Sequence, residues 1–151
     1  MAADAATIHA SAVLVGPKAV LIRGPAGAGK SRLVWELLQT AAQGGLAFAR
    51  LVADDRAHVE AHGGRLLVRP APALAGLIEV RGLGIRRLPY EPLATVGVVL
   101  ELAAEDAARL PGAEKERTDI GGIALPRLAV AAGQPALPVL LAFLRSSAAG
   151  K

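Results

Sequence analysis

Eight residues constrain this chain more than any other stretch: Gly24-Pro25-Ala26-Gly27-Ala28-Gly29-Lys30-Ser31. They satisfy G-x-x-x-x-G-K-[ST], and the context is right on both sides. Residues 19–23 form an apolar run before the loop. Residues 32–42 follow it with Leu33, Leu37 and Thr40 beside Val34, Leu38 and Ala41, a helical stripe. The residue types suit a phosphate cradle. Glycines let the backbone turn its N–H groups inward around phosphate oxygens, and the helix N-terminus adds partial positive charge. Lys30 is placed to reach the β- and γ-phosphates, and the Ser31 hydroxyl to ligate Mg²⁺. The loop predicts nucleotide binding; it does not name a reaction.

Composition narrows the alternatives. At 151 residues, 53% hydrophobic and 20% charged, the chain has the length and make-up of one globular domain. No window approaches the twenty apolar residues of a membrane span, and MAADAATIHA lacks the basic-then-apolar order of a secretory signal. The expected location is therefore the cytoplasm, with no membrane partner. There is no cysteine, which excludes disulfides, thiolate metal sites and a cysteine nucleophile. The net charge of +4 is modest, the basic residues are scattered, and aromatics are 3%. Base-stacking platforms are not available at that level, so nucleic acid is not an expected partner.

The rest of the chain reads as a strand-rich α/β domain. Residues 11–15 and 19–23 are strands around a Gly16-Pro17 turn. Gly44-Gly45 ends the helix, and residues 48–53 form a strand running into Asp54-Asp55. Residues 57–61 and 65–69 flank His62-Gly63-Gly64 as a β-hairpin. Pro70 and Pro72 mark a loop, and residues 77–81 a short strand. Residues 95–102 form a buried strand, followed by a helical turn over 103–110 that ends at Pro111-Gly112. Residues 114–119 are charged and expected to be exposed. Residues 123–130 form a strand whose Pro126 puts it at a sheet edge. Residues 136–146 form a C-terminal helix. The fold expected is a P-loop domain with a mixed sheet, one long helix after the loop and one helix at the end, not a full doubly wound fold.

Acidic residues offer the rest of a site. In an extended backbone Asp54 and Asp55 point in different directions. One can face a metal while the other accepts a hydroxyl proton. A turn or a helix cap would show the same pair. Glu79 interrupts the apolar run of Leu77-Ile78-Glu79-Val80-Arg81-Gly82-Leu83-Gly84-Ile85, as a surface-facing strand residue also would. Arg81 suits either phosphate or Glu79, two residues away on the same face. His9 precedes the first strand, and His58 and His62 lack a third ligand for a metal site. Arg109 is a candidate charge-stabilising arginine.

Taken together, four pieces resemble the catalytic domain of bacterial HPr kinase/phosphorylase: His9 in I-H-A-S-A-V-L-V, the loop GPAGAGKS, L-V-A-D-D-R and I-E-V-R-G-L-G-I. The last is the most specific. Their order and spacing agree over nearly the whole chain, and the expectation is the short alphaproteobacterial form, without the family's usual N-terminal domain. The resemblance implies an ATP-dependent kinase acting on a serine of HPr, the phosphocarrier of the sugar phosphotransferase system. It also implies a reverse reaction that uses inorganic phosphate and yields pyrophosphate. Under it, residues 24–31 bind ATP and Ser31 and Glu79 contact Mg²⁺. Asp55 accepts the proton with Asp54 in support, His9 tunes the pair, and Arg109 is an active-site arginine. Homo-oligomers, usually hexamers, are implied as well.

The chain departs from the longer members twice. The segment after Ile85 is shorter, and a glycine–arginine loop associated with dephosphorylation is replaced by Ala131-Ala132-Gly133-Gln134. The expectation is kinase activity with weak or no phosphorolysis. Two other readings of the residues stand beside it: a small P-loop metabolite kinase, and a non-catalytic nucleotide sensor that docks on a signalling partner.

Overall fold

The computed structural model describes residues 7–108 and 111–147. In chain order the elements are β1 (Thr7–Ile8), β2 (Ala10–Val15), β3 (Lys18–Arg23), α1 (Lys30–Ala42), β4 (Ala49–Ala53), β5 (Ala57–His62) and β6 (Arg65–Pro70). Then come β7 (Leu77–Val80), β8 (Gly84–Arg87), β9 (Ala94–Glu101), β10 (Arg117–Ile120), β11 (Ile123–Ala129) and α2 (Ala136–Leu144). Nine strands form one mixed sheet in the order β1-β5-β6-β9-β3-β2-β4, with β11 beside β9 and β10 beside β11. The strand-rich α/β architecture with one long helix after the loop is as the sequence predicts.

The central strands decide where chemistry can happen. Antiparallel β2 lies between β3 and β4, so β3 and β4 run the same way. β9 is parallel to β3 on its other side. One end of the sheet therefore gathers the ends of β3, β4 and β9 and the start of β2. The loop after β3 and Asp54-Asp55 after β4 open at that end.

Each face of the sheet carries its own apolar layer. Ala12, Leu21, Val52, Leu66, Val68 and Val99 pack on one side. On the other, Val13, Val20, Ile22 and Leu51 meet Leu33, Val34 and Leu37 of α1. Those three helix residues are at most 2% exposed, and full burial stabilises each side chain by about 1.5–3 kcal/mol. The stripe explains why α1 lies flat on the sheet and carries the loop with it. Gly44, at φ +86, ends the helix where the sequence predicts.

Two expectations are corrected, the edge position of the Pro126 strand and the helical turn over 103–110. The strand containing Pro126 is internal: β11 pairs with β10 at residues 123–126 and with β9 at residues 127–129. Pro126 sits where the ladder passes from one partner to the other: Arg127 N–H turns to Glu116 on the β10 side, so the Pro126 nitrogen faces the side on which β9 pairing begins only at residue 127, and no ladder bond is lost. The charged stretch 114–119 is exposed as expected, with Thr118 half-buried, and part of it is regular. Arg117–Ile120 forms β10, closed on β11 through Gly121 and Gly122. The glycines after Glu79 close a second, two-stranded sheet of β7 and β8. Of the helical turn expected over 103–110, only a weak Ala107 N–H to Ala104 carbonyl bond at 3.4 Å is formed in the described part.

Candidate active site

The loop between β3 and α1 is shaped by its glycines. Gly27 and Gly29 have φ of +82 and +107, the half-plane that favours glycine, and added methyl groups there would meet open space. Space on that side lets a ligand approach the backbone. Gly24 is different: a Cβ would lie 3.0 Å from Leu102 Cβ and 3.1 Å from its carbonyl oxygen. The first loop glycine is thus wedged against the end of β9, where Leu102 N–H donates to the Arg23 carbonyl at 2.8 Å. Helix α1 has no acidic residue in its first turn, so its unpaired N–H groups are left for an anion. Lys30 is buried and donates through Nζ to the carbonyls of Gly24 (2.8 Å) and Pro25 (3.3 Å), holding the loop in its curve.

Asp54 is brought to this loop by an irregularity in the sheet. Val13 faces Leu51 across the β2–β4 ladder, and Ala12 faces Ala53, so β4 carries one extra residue, Val52. Such a bulge shifts the side-chain alternation by one. In regular pairing Ser11 would face Ala53, and Asp54 would fall on the sheet face away from α1. With the bulge, Asp54 comes onto the helix-bearing face, level with Ser11. There the Ser31 hydroxyl lies 2.8 Å from both carboxylate oxygens of Asp54, and the Ser11 hydroxyl donates to Oδ1 at 2.8 Å. The backbone N–H of Glu79 approaches Oδ2 at 3.3 Å. Asp54 is 8% exposed.

Asp55 is built differently. It is exposed, its φ is +68, and the Arg56 N–H donates to the Asp54 carbonyl at 2.8 Å. A bond from residue i+2 back to residue i around a positive φ is the rarer, strained form of the γ-turn. The two aspartates therefore diverge as expected, one inward to the loop serine and one outward to solvent. Glu79 is on β7 with an exposed side chain, tied in through its backbone. His9 is exposed and lies between two ladders, Ala12 with Ala53 and Ile8 with Ala57, which bracket it opposite the Asp54–Arg56 turn. Arg109 lies outside the described residues. Arg81 is exposed at the β7–β8 turn.

Beside the loop is an ion-pair chain that the sequence reading did not find. Arg23 Nε lies 3.1 Å from Glu101 Oε2, an ion pair without an aligned hydrogen bond. Arg127 donates to Glu101 Oε1 at 2.7 Å and to Asp106 Oδ1 at 2.9 Å. The hydrogen bond from Arg127 holds the Asp106 carboxyl below the usual carboxylate range. The same bond raises the Arg127 guanidinium above its ordinary value. With Gly24, Pro25 and Leu102, the side chains of Glu101, Asp106 and Arg127 line a cleft of about 430 Å³ on the flank of the loop. No spacing rule joins residues so far apart; only the parallel β3, β9 and β11 do. Ser11 was also missed. Its signal was present: it is the one polar residue in the six-residue strand A-S-A-V-L-V.

The chain is similar to known proteins in sequence and in fold. The model of the HPr Serine kinase C-terminal domain matches residues 1–89. An HPr kinase/phosphorylase of Geobacillus thermodenitrificans is 32% identical over 139 residues, covering 85% of this chain and 43% of that protein. One from Streptococcus thermophilus is 39% identical over 84 residues, covering 55% of this chain and 25% of that protein. The chain thus spans less than half the length of these curated relatives. Among solved structures, the HPr(Ser) kinase/phosphatase of Coxiella burnetii superposes with a TM-score of 0.71 at 25% identity, covering 93% of this chain and 88% of that one. The glycine loop, the bulged strand that delivers Asp54 and these likenesses converge: the chain belongs to the HPr serine kinase C-terminal domain family.

Proposed function

We propose that this chain is an ATP-dependent protein kinase that phosphorylates a serine of an HPr-like phosphocarrier. The observation that carries the reading is the contact of Ser31 with Asp54, beside an Asp55 turned outward at the same sheet end. Residues 24–31 would hold the nucleotide phosphates, with Lys30 leaving its two carbonyls to reach them. The donor set beside them is oxygen only: the Ser31 hydroxyl, the Asp54 carboxylate and, from β7, Glu79. That set suits a hard divalent cation such as Mg²⁺. Bound there, the cation would neutralise charge on the phosphate oxygens.

The chain's own part is positioning and proton transfer. Asp55 accepts the serine hydroxyl proton as the new O–P bond forms and the bond to the β-phosphate oxygen breaks, releasing ADP. Its exposure lets a protein-borne hydroxyl reach it. His9 and Arg109 are proposed to act beside it, His9 from the bend between β1 and β2. Phosphorolysis is proposed to be weak or absent. At the corresponding loop Gln134 accepts the Ala131 N–H at 3.0 Å, closing a turn that presents no arginine. No helix among the described residues is long and apolar enough to cross a membrane. A cytoplasmic location and a homo-oligomer, a hexamer by resemblance, belong to the same proposal.

The test is incubation of the chain with Mg-ATP and HPr, followed by mass spectrometry. Phosphate on an HPr serine, abolished in Asp55→Asn with nucleotide still bound, is the expected result. ATP binding without transfer would overturn it and favour a nucleotide sensor; ATP turnover without any protein substrate would favour a metabolite kinase. Added inorganic phosphate should then release little pyrophosphate from the product. Release at rates matching the forward reaction would refute that part.

A further inference from the structure

The Asp55 turn is strained and exposed, yet its position must be defined if it is to meet a hydroxyl on another protein. A left-handed non-glycine residue persists only where its surroundings over-determine it. Among the described residues, the side chain that bonds the Asp55 amide is Ser11. Ser11 is 0% exposed, in a strand whose neighbours Ala10, Ala12 and Val13 are equally buried and apolar. A hydroxyl offers one hydrogen and two lone pairs. The Asp55 N–H occupies a lone pair at 2.9 Å. The hydrogen then goes to Asp54 Oδ1, 2.8 Å away. Both bonds end on the two aspartates.

We propose that Ser11 is a positioning residue that locks the two aspartates to each other. Its O–H fixes the inward carboxylate of Asp54, leaving Oδ2 for the loop side. Its lone pair holds the Asp55 amide and with it the strained turn that aims the Asp55 carboxylate outward. A valine or alanine would suit this buried strand position on packing grounds alone. A hydroxyl there, without partners, would cost free energy. Its presence is explained by the two bonds it makes. The β4 bulge matters to the device as well, since it sets Asp54 level with Ser11.

The rate readout of this inference rests on the kinase reading; its structural readout does not. Ser11→Ala removes both bonds without adding volume, and Ser11→Thr keeps the hydroxyl. In Ser11→Ala the Asp55 amide should exchange with solvent at least ~10-fold faster by NMR while amides of α1 and β3 keep their protection. With HPr as substrate, kcat should fall about tenfold or more while KM for Mg-ATP stays within about threefold, a loss of orientation with binding retained. Ser11→Thr should recover most of both. Unchanged Asp55 exchange in a folded Ser11→Ala protein would overturn the proposal, as would a kcat within twofold of the parent. If the parent chain transfers no phosphate to HPr, the kinase reading fails, and the Asp55 exchange rate alone decides the role of Ser11.

Discussion

Replacing Asp54 with alanine separates what this residue does for the fold from what it does for the site. Asp54 accepts from the Ser11 hydroxyl, the Ser31 hydroxyl and the Glu79 N–H, at 2.8, 2.8 and 3.3 Å. These donors are not equally hurt by its loss. Ser31 is half-buried at the loop and can turn to water, and the Glu79 contact is long. Ser11 is fully enclosed, and its stranded O–H costs about 1–3 kcal/mol. Against this, alanine relieves the desolvation of a carboxylate that forms no ion pair among the described residues, so about 1–2 kcal/mol of net loss is expected. For a chain of this size that lowers Tm by about 2–8 °C.

The same variant should weaken ATP binding at least tenfold in the presence of Mg²⁺ and leave binding in EDTA nearly unchanged. Calorimetry on both proteins, with and without the metal, reads both effects. An unchanged or higher Tm would refute the reasoning about Ser11 as a stranded donor. Equal weakening with and without Mg²⁺ would refute the assignment of Asp54 to the metal side of the loop.

Gly24→Ala should cost about 1–3 kcal/mol by overpacking, because its Cβ meets Leu102 backbone at 3.1 Å, and should also weaken nucleotide binding in a titration. Leu37→Ala, at a fully buried position on α1, should destabilise by about 2–5 kcal/mol in urea without changing the ratio of Mg²⁺-dependent to Mg²⁺-independent binding. Asp106 has its carboxyl held below the ordinary value of 3.8 by Arg127, so it supports the folded state above that pH, and the support drains away as pH falls through the lowered value. Asp106→Asn should therefore flatten the acid limb of a Tm-against-pH curve below about pH 4 and leave the neutral limb's slope alone.

Much of this arrangement is local and therefore legible. The loop motif, the stripe of Leu33, Val34 and Leu37, the Gly44 stop and the hairpin around Gly63-Gly64 each depend on residues within a turn or two of one another. The features that escaped are those set between distant strands. Pro126 reads as an edge residue because a proline lacks a ladder donor. Only the hand-over from β10 to β9 at that residue shows how an internal strand accommodates it. Arg117–Ile120 looks solvated because its charges alternate. It pairs because Gly121 and Gly122 fold it back on β11. Glu101, Asp106 and Arg127 look like unrelated surface charges until three parallel strands end together.

The bulge in β4 shows why the site in particular resists a period-two reading. Strict alternation from Leu51, which faces α1, sends Val52 to the other face, Ala53 back toward α1 and Asp54 away from the loop. By that count Asp55, not Asp54, would meet Ser31. The extra residue reverses the order: Val52 and Ala53 both join the layer opposite α1. Asp54 then turns inward, and Asp55 is left to the exposed γ-turn. Which of two chemically identical neighbours turns inward is thus decided by one unpaired residue in the preceding strand. The local chemistry of Asp-Asp cannot specify it. Across the ladder, Ser11 is the group whose two hydrogen bonds, one to each aspartate, hold the result in place.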